Sequence, residues 1–196
     1  MAKQGQDNRL DGITEALRSQ GKEPPPVHLW NPPYCGEIDL RIAADGTWYY
    51  QKTPIGRPAL VRLFASILKR EGERYYLVTP VEKCGIAVDD APFRAVEVNA
   101  QASEAGRALR FRTDVDEEIV CGRDHPLRFE RQDGGGLKPY LLVRRDLWAL
   151  ATRPVYYELV ELGEERDTDQ GRWFGVSSQR EFFRMAPADQ LDDLSE

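Results

Sequence analysis

Residues 77–93, LVTPVEKCGIAVDDAPF, place Glu82, Lys83, Cys84, Asp89 and Asp90 within nine positions. Carboxylates can act as bases, a thiol as a nucleophile and an ammonium as an anion clamp. Read as a regular strand, EKCGIAV puts Glu82 on one face with Cys84, Ile86 and Val88, and Lys83 on the other with Gly85 and Ala87. Glu82 then ends a core-facing row and needs water or a partner, because burying a lone carboxylate is costly. Asp89 and Asp90 precede Ala91-Pro92 between two strands, where Asp serves turns by bonding its own backbone. Adjacent carboxylates on an extended chain diverge, so they do not frame one substrate bond. Cys84 lacks a nearby histidine to activate it and reads as a buried thiol beside Ile86.

Other stretches offer less chemistry. QDGGGLKPY has glycines and a lysine but not the GKS/T ending and following helix of a phosphate loop, so it reads as a strand connection. GxSxG and HExxH are both absent from the sequence. No base and oriented nucleophile or metal set emerges, so the reading is of a non-enzymatic protein without a cofactor. TPIGRP carries Gly56 and Arg57 to a helix start, where free N–H groups and the dipole favour an anion, although Pro58 removes one donor. Trp30, Trp48, Trp148 and Trp173 could stack on a flat ligand or anchor the core. Matching places in two similar passages favour the structural role for Trp48 and Trp173.

The elements that must position these residues follow from pattern. Leu10, Ile13 and Leu17 predict a short helix between Asp7 and Gly21. GKEPPPVHLWNPPY, with five prolines, predicts an extended strap pinned by Trp30 and Tyr34. Ile38, Leu40 and Ile42 alternate with Glu37, Asp39 and Arg41, then Asp45-Gly46 turns into Trp48 and Tyr50: a hairpin. Leu60, Val61, Phe64, Ile67 and Leu68 share a helical face after Pro58, with Lys69 and Arg70 in the last turn before Gly72. From Tyr75 the pattern is strands: RYYLVTP, EKCGIAV, FRAVEVN, ALRFRTD, EEIVCG, PLRFERQ, PYLLVRR, LWALAT, VYYELVEL and GRWFGV. A capping box, Ser178 with Glu181, predicts a terminal helix, and the acidic tail ADQLDDLSE predicts a short one.

Two pairs of passages look alike: YYLVTPVEKCGIAVDDAPFRAVEV with PYLLVRRDLWALATRPVYYELVEL, and GTWYYQKTPIGRPALVRLFA with GRWFGVSSQREFFRMA. They predict a duplication. The fold class is α+β, with two similar, mostly antiparallel, β-rich subdomains and packed helices. An N-terminal α+β subdomain with the strap occupies 1–103, and a β-rich C-terminal one with the terminal helix 104–196.

Charge bounds the partners. With 27 basic and 33 acidic residues the net charge is −6, against general nucleic-acid binding. No stretch approaches the roughly 18 apolar residues of a membrane span. MAKQGQDNRLDG has no apolar core of a secretory signal. The three cysteines are far apart and form no CxxC, and two histidines are too few for a His-based metal cluster. Reduced thiols and a cytoplasmic location are expected.

LWNPPYCGEIDLRIAADGTWYYQKTPIGRPALVRLFASIL, followed by YYLVTPVEKCGIAVDDAPF, resembles the bacterial domain-of-unknown-function family 1285. The GE-x-D strand, DGTWYY, TPI-x-R, LV-x-LF and LVTPVEK carry the likeness over residues 28–98. The resemblance implies a duplicated α+β architecture with a C-terminal half similar to a pleckstrin-homology-like fold. It also implies a site for a nucleotide-like molecule at the junction of the halves, and a role in signal transduction. It transfers no catalytic residue. Joined with the reading of the residues, it nominates Arg57 and Lys83 as anion contacts, Glu82 and Asp39 as acceptors, and Trp30 as a flat wall. A protein-interaction module without a small ligand is the alternative, built on exposed sheet edges and the acidic tail.

Overall fold

A computed structural model describes residues 25–133 and 135–190. The helix expected between Asp7 and Gly21 and most of the acidic tail lie outside the described residues. The chain divides into two compact units, Met1–Asp90 and Ala91–Glu196.

In the first unit the strap makes one 3-10 turn, Val27–Leu29, between its prolines, then runs extended through Trp30. Val27 is its buried anchor, whereas Tyr34, expected to pin the strap, opens strand β1 (Tyr34–Ile42) and is 47% exposed. β1 alternates as its sequence requires, with Ile38, Leu40 and Ile42 buried. It turns through Gly46, in left-handed geometry (φ 89°), into antiparallel β2 (Trp48–Tyr50). Gln51 and Lys52, both at positive φ, form a second tight turn into β3 (Thr53–Pro54). Helix α1 (Pro58–Ser66) follows and buries Phe64 and Ala65. Trp48 stacks on Phe64 with ring centres 6.5 Å apart, the core role expected of it.

The helix stops at Ser66, about one and a half turns short of the expected end at Gly72. Leu68–Glu71 is instead strand β4, paired antiparallel with β5 (Arg74–Val78), so Lys69 and Arg70 are strand residues and do not cap a dipole. Hairpin bonds with β5 replace further helical ones, and Gly72 supplies the turn at φ 61°. Strand β6 (Lys83–Val88) completes a six-stranded sheet in the order β3-β2-β1-β6-β5-β4. Two three-stranded meanders thus meet at one parallel pair, β1 with β6.

The second unit repeats that plan. β7 (Phe93–Ser103), β8 (Gly106–Thr113) and β9 (Glu118–Val120) form one meander; β10 (Leu127–Arg131), β11 (Leu137–Arg144) and β12 (Leu147–Ala151) form the other. The order is β10-β11-β12-β7-β8-β9, again with one parallel pair, β7 with β12. Relabelled within each unit, both sheets read 3-2-1-6-5-4. The division falls at Asp90/Ala91, ahead of the expected 103/104, because β7 pairs with β8 and β12.

The topology equates β5–β6 with β11–β12, as the first pair of similar passages does, but the likeness ends there. FRAVEV is strand β7, whereas VYYELVEL, expected as a strand, is helix α2 (Arg153–Glu161). Its Val155 and Leu159, one helical turn apart, are both fully buried, and Pro154 sits in the first turn. Helical spacing of two anchors outweighed the β-branched and aromatic composition. The second pair of passages is not equivalent either. GRWFGV belongs to β14 (Gly171–Ser178) in a separate three-stranded sheet, β13 (Glu164–Thr168), β14 and β15 (Glu181–Pro187).

The terminal helix expected after Ser178 is therefore strand β15. Gln179 and Arg180, at φ 49° and 70°, make the same kind of two-residue turn as Gln51 and Lys52. Ser178 is fully buried and caps nothing. Its hydroxyl donates to the Cys121 carbonyl (2.7 Å) and accepts from the Leu109 amide (2.9 Å), tying β14 to β8 and the end of β9.

Candidate functional site

The first unit's sheet has one buried face and one polar face. Strand alternation assigns Leu68, Leu77, Cys84, Ile86 and the β1 aliphatics to the core side. Lys69 stands opposite Tyr76, and Tyr76 opposite Gly85, so these three share the other face with Glu71, Arg74 and Lys83. Glu37, Asp39 and Arg41 alternate with the buried residues of β1 and are exposed on it.

Lys83 is at the centre. Its Nζ lies 2.8 Å from Glu71 Oε2 and 5.0 Å above the Tyr76 ring, and its side chain is only 16% exposed. Lys69 reaches Glu71 from the other side at 3.0 Å and donates weakly to the Trp30 carbonyl at 3.4 Å. The hydrogen bond from Lys83, then that from Lys69, holds the Glu71 carboxyl below its ordinary range. Two ammonium groups on one carboxylate leave a local excess of one positive charge.

Beside them is an aromatic and guanidinium cluster. Tyr34 and Tyr76 meet edge to face, 6.1 Å between centres. Arg74 lies 5.6 Å from the Tyr34 ring centre and 5.5 Å from that of Tyr76, and pairs with Glu37. The Tyr34 hydroxyl donates to Glu37 Oε1 at 2.6 Å, which raises its pKa. Gly85 makes room: a Cβ there would lie 2.3 Å from both Glu37 carboxylate oxygens. The glycine lets the carboxylate rest on the sheet.

The five residues nominated from sequence do not form one group. Lys83 and the Trp30 backbone are joined through Glu71 and Lys69, and Asp39 lies on the same face, its side chain without a partner among the described residues. Glu82 is in the turn before β6, where the Thr79 hydroxyl accepts its amide (3.2 Å). Its carboxylate lies 3.9 Å from the buried Cys84 sulfur, on the side of the sheet away from Lys83, as the alternation required. Arg57 is the extended residue before α1, exposed, its side chain without a hydrogen-bond or ion-pair partner among the described residues.

Asp89 pairs with Arg41 through a 2.8 Å bond from Nε as well as a terminal nitrogen, which lowers the Asp89 pKa. Together with Asp90 it lies in the bend after β6. Among the described residues the cysteines are free thiols, and no group of His, Cys, Asp and Glu is arranged to hold a metal. In QDGGGLK, Gly135 and Gly136 lie just before β11 at φ 88° and 75°, and Leu137 and Lys138 already belong to that strand.

Sequence reasoning missed Tyr34, Glu37, Lys69, Glu71, Arg74 and Tyr76 as site residues. The alternation of β1 already set Glu37 beside Asp39, but the helix drawn through Lys69 hid β4 and its partners on β5. Trp173, expected to have a structural role like Trp48, is half-exposed, with Arg184 5.2 Å from its ring centre.

Comparison with known proteins supports both the fold and its division. The family model described as Domain of unknown function (DUF1285), N-terminal domain, matches residues 25–91. The model described as Protein of unknown function (DUF1285), C-terminal domain, matches residues 92–185. No curated protein matches the chain. The crystal structure of a DUF1285 family protein from Silicibacter pomeroyi DSS-3 is similar with a TM-score of 0.83 and 49% identity, over 92% of this chain and 98% of that one. A DUF1285 family protein from Shewanella baltica OS155 is similar with a TM-score of 0.51 and 30% identity, over 63% of this chain and 91% of that one. With both domain models matched in order and a half-identical relative matched nearly end to end, the chain belongs to the DUF1285 family.

Proposed function

We propose that this protein is a non-enzymatic ligand-binding protein that senses a nucleotide-like small molecule in bacterial signal transduction, with the polar face of the first sheet as its binding surface. The observation that carries this reading is the pairing of Lys69 and Lys83 on a single carboxylate, Glu71, next to the Tyr34–Tyr76 ring pair. A nucleotide-like ligand needs a cation for its phosphate and a flat wall for its base, and the two lie side by side. The excess positive charge occurs in a chain of net charge −6, so it is a local feature. Lys83 takes the anion, Trp30 and the exposed Tyr34 offer flat walls, with Tyr76 buried behind them, and Asp39 offers an acceptor. Glu82, on the other side of the sheet, stands outside this set. Arg57 enters as a separate cation at the start of α1.

Thermal unfolding with nucleotides and nucleotide-like metabolites tests the reading on the full chain. A ligand at one hundred times its Kd stabilises the folded state by about 2.7 kcal/mol. The expected result is stabilisation of the wild type that Lys83→Ala removes, with Arg57→Ala reporting whether the ligand reaches α1. No stabilising compound, or one equally effective on Lys83→Ala, overturns the site. Turnover of the stabilising compound would overturn the non-enzymatic part.

The protein-interaction alternative draws support from Leu29 and Val81, apolar side chains that stand 72% and 70% exposed in the first unit. Pull-down with wild type and a Leu29→Ser, Val81→Ser variant, with and without nucleotides, separates the two readings.

A further inference from the structure

The second unit holds a hollow of about 390 Å³ beside β10, β11, β14 and β15. Its walls include Phe129, Leu137, Trp173 and Met185, with Arg131 and Arg184 among its lining residues. The arginines are notable for their partners. Arg131 donates to the Gln190 side-chain carbonyl at 2.6 Å, and Arg184 to that of Gln170, also at 2.6 Å. Both acceptors are neutral amides, and among the described residues neither guanidinium meets a carboxylate. An amide orients a guanidinium without cancelling its charge, and most of its five N–H donors stay available. Arg184 also lies over Trp173, whose Nε1 donates to the Gln170 backbone at 3.3 Å, so Gln170 holds both the cation and the ring.

From this geometry we propose that the hollow binds a small organic anion, one carboxylate or phosphate on a flat apolar body. Arg131 and Arg184 hold the anionic group, and the body lies along Trp173 and Phe129. Two guanidiniums that meet no carboxylate among the described residues match a planar or tetrahedral oxyanion through paired N–H donors. The apolar wall accounts for the rest of the ligand, and the volume lies in the range of small-molecule sites, about 300–1,000 Å³.

A single anionic group fits better than a polyphosphate. The adjoining hollow of about 310 Å³ shares Gln170 and Arg184 and adds Arg166 but also Asp169. Arg166 is already committed to Glu164 at 3.1 Å and to the Ser177 hydroxyl at 3.0 Å. A second phosphate reaching that way would meet Asp169 and a cation already neutralised.

Calorimetric titration of the full chain with phenyl phosphate, benzoate and neutral benzyl alcohol tests the proposal, with tryptophan emission read in parallel. At least one of the two anions should bind saturably at millimolar concentration and perturb the emission, and benzyl alcohol should not bind. Which of the two binds tighter identifies phosphate or carboxylate as the preferred group. Arg131→Gln and Arg184→Gln each should weaken binding about tenfold or more, a loss of about 1.4 kcal/mol. Both positions are exposed, so the variants keep the fold. Trp173→Phe should abolish the emission change, whereas Arg172→Gln and Lys83→Ala should alter neither signal. Failure of both anions to bind, unchanged affinity in both arginine variants, or binding of inorganic phosphate as tight as phenyl phosphate overturns the proposal. The Lys83 arm keeps this outcome separate from that of the first-unit site.

Discussion

Replacing Ser178 by alanine should destabilise the second unit by about 3 kcal/mol. The hydroxyl is completely buried and makes two bonds, accepting from Leu109 N–H and donating to Cys121 C=O. Both backbone partners belong to buried residues, so neither gains water when the oxygen is removed. Each orphaned group costs about 1–3 kcal/mol, and two of them give a total centred near 3 to 4 kcal/mol, less any relaxation of the turn. Had Ser178 opened a helix as a capping box, its loss would cost about 1 kcal/mol and Glu181→Ala would cost a similar amount. In the hairpin Glu181 is exposed, so Glu181→Ala should stay within about 0.5 kcal/mol of wild type. Urea unfolding followed by tryptophan fluorescence gives both values, and hydrogen exchange at the Leu109 amide reports the lost acceptor directly. A Ser178→Ala cost below about 1 kcal/mol with an unprotected Leu109 amide in the wild type would refute this account of the buried hydroxyl.

Thiol chemistry and acid stability supply two further checks. Burial pushes the Cys121 thiol up to about 12, and Cys84 is equally inaccessible, so a disulfide reagent near pH 8 should modify Cys35 first and the other two only in denaturant. Glu71 has a folded pKa lowered from 4.5 by its lysines, so its contribution to stability is complete above about 4.5 and disappears as pH falls through the lower folded value; Glu71→Gln should therefore flatten acid unfolding in that window while leaving the protonated state unchanged, as measured by circular dichroism across a pH series.

Much of the architecture was legible in the chain. Ile38, Leu40 and Ile42 announce β1 because a half-buried strand must alternate, and the same period places Lys83 and Glu82 on opposite faces. Pro58 and the Leu60-Val61-Phe64 spacing announce α1. The likeness of YYLVTPVEKCGIAV to PYLLVRRDLWALAT marks a repeat whose sheets have the same strand order.

Tertiary pairing decided the remainder. Leu68–Glu71 continues a helical pattern locally, yet its backbone bonds go to β5, a partner that helical spacing does not reveal. Gln51-Lys52 and Gln179-Arg180 turn at positive φ without glycine, so hairpin geometry there depends on the strands on either side. VYYELVEL became a helix because Val155 and Leu159 both found cover. The meeting of Lys69, Glu71 and Lys83, and of Arg131, Arg184 and Trp173, joins strands distant in sequence; long-range register, which no local period encodes, brings those charges together.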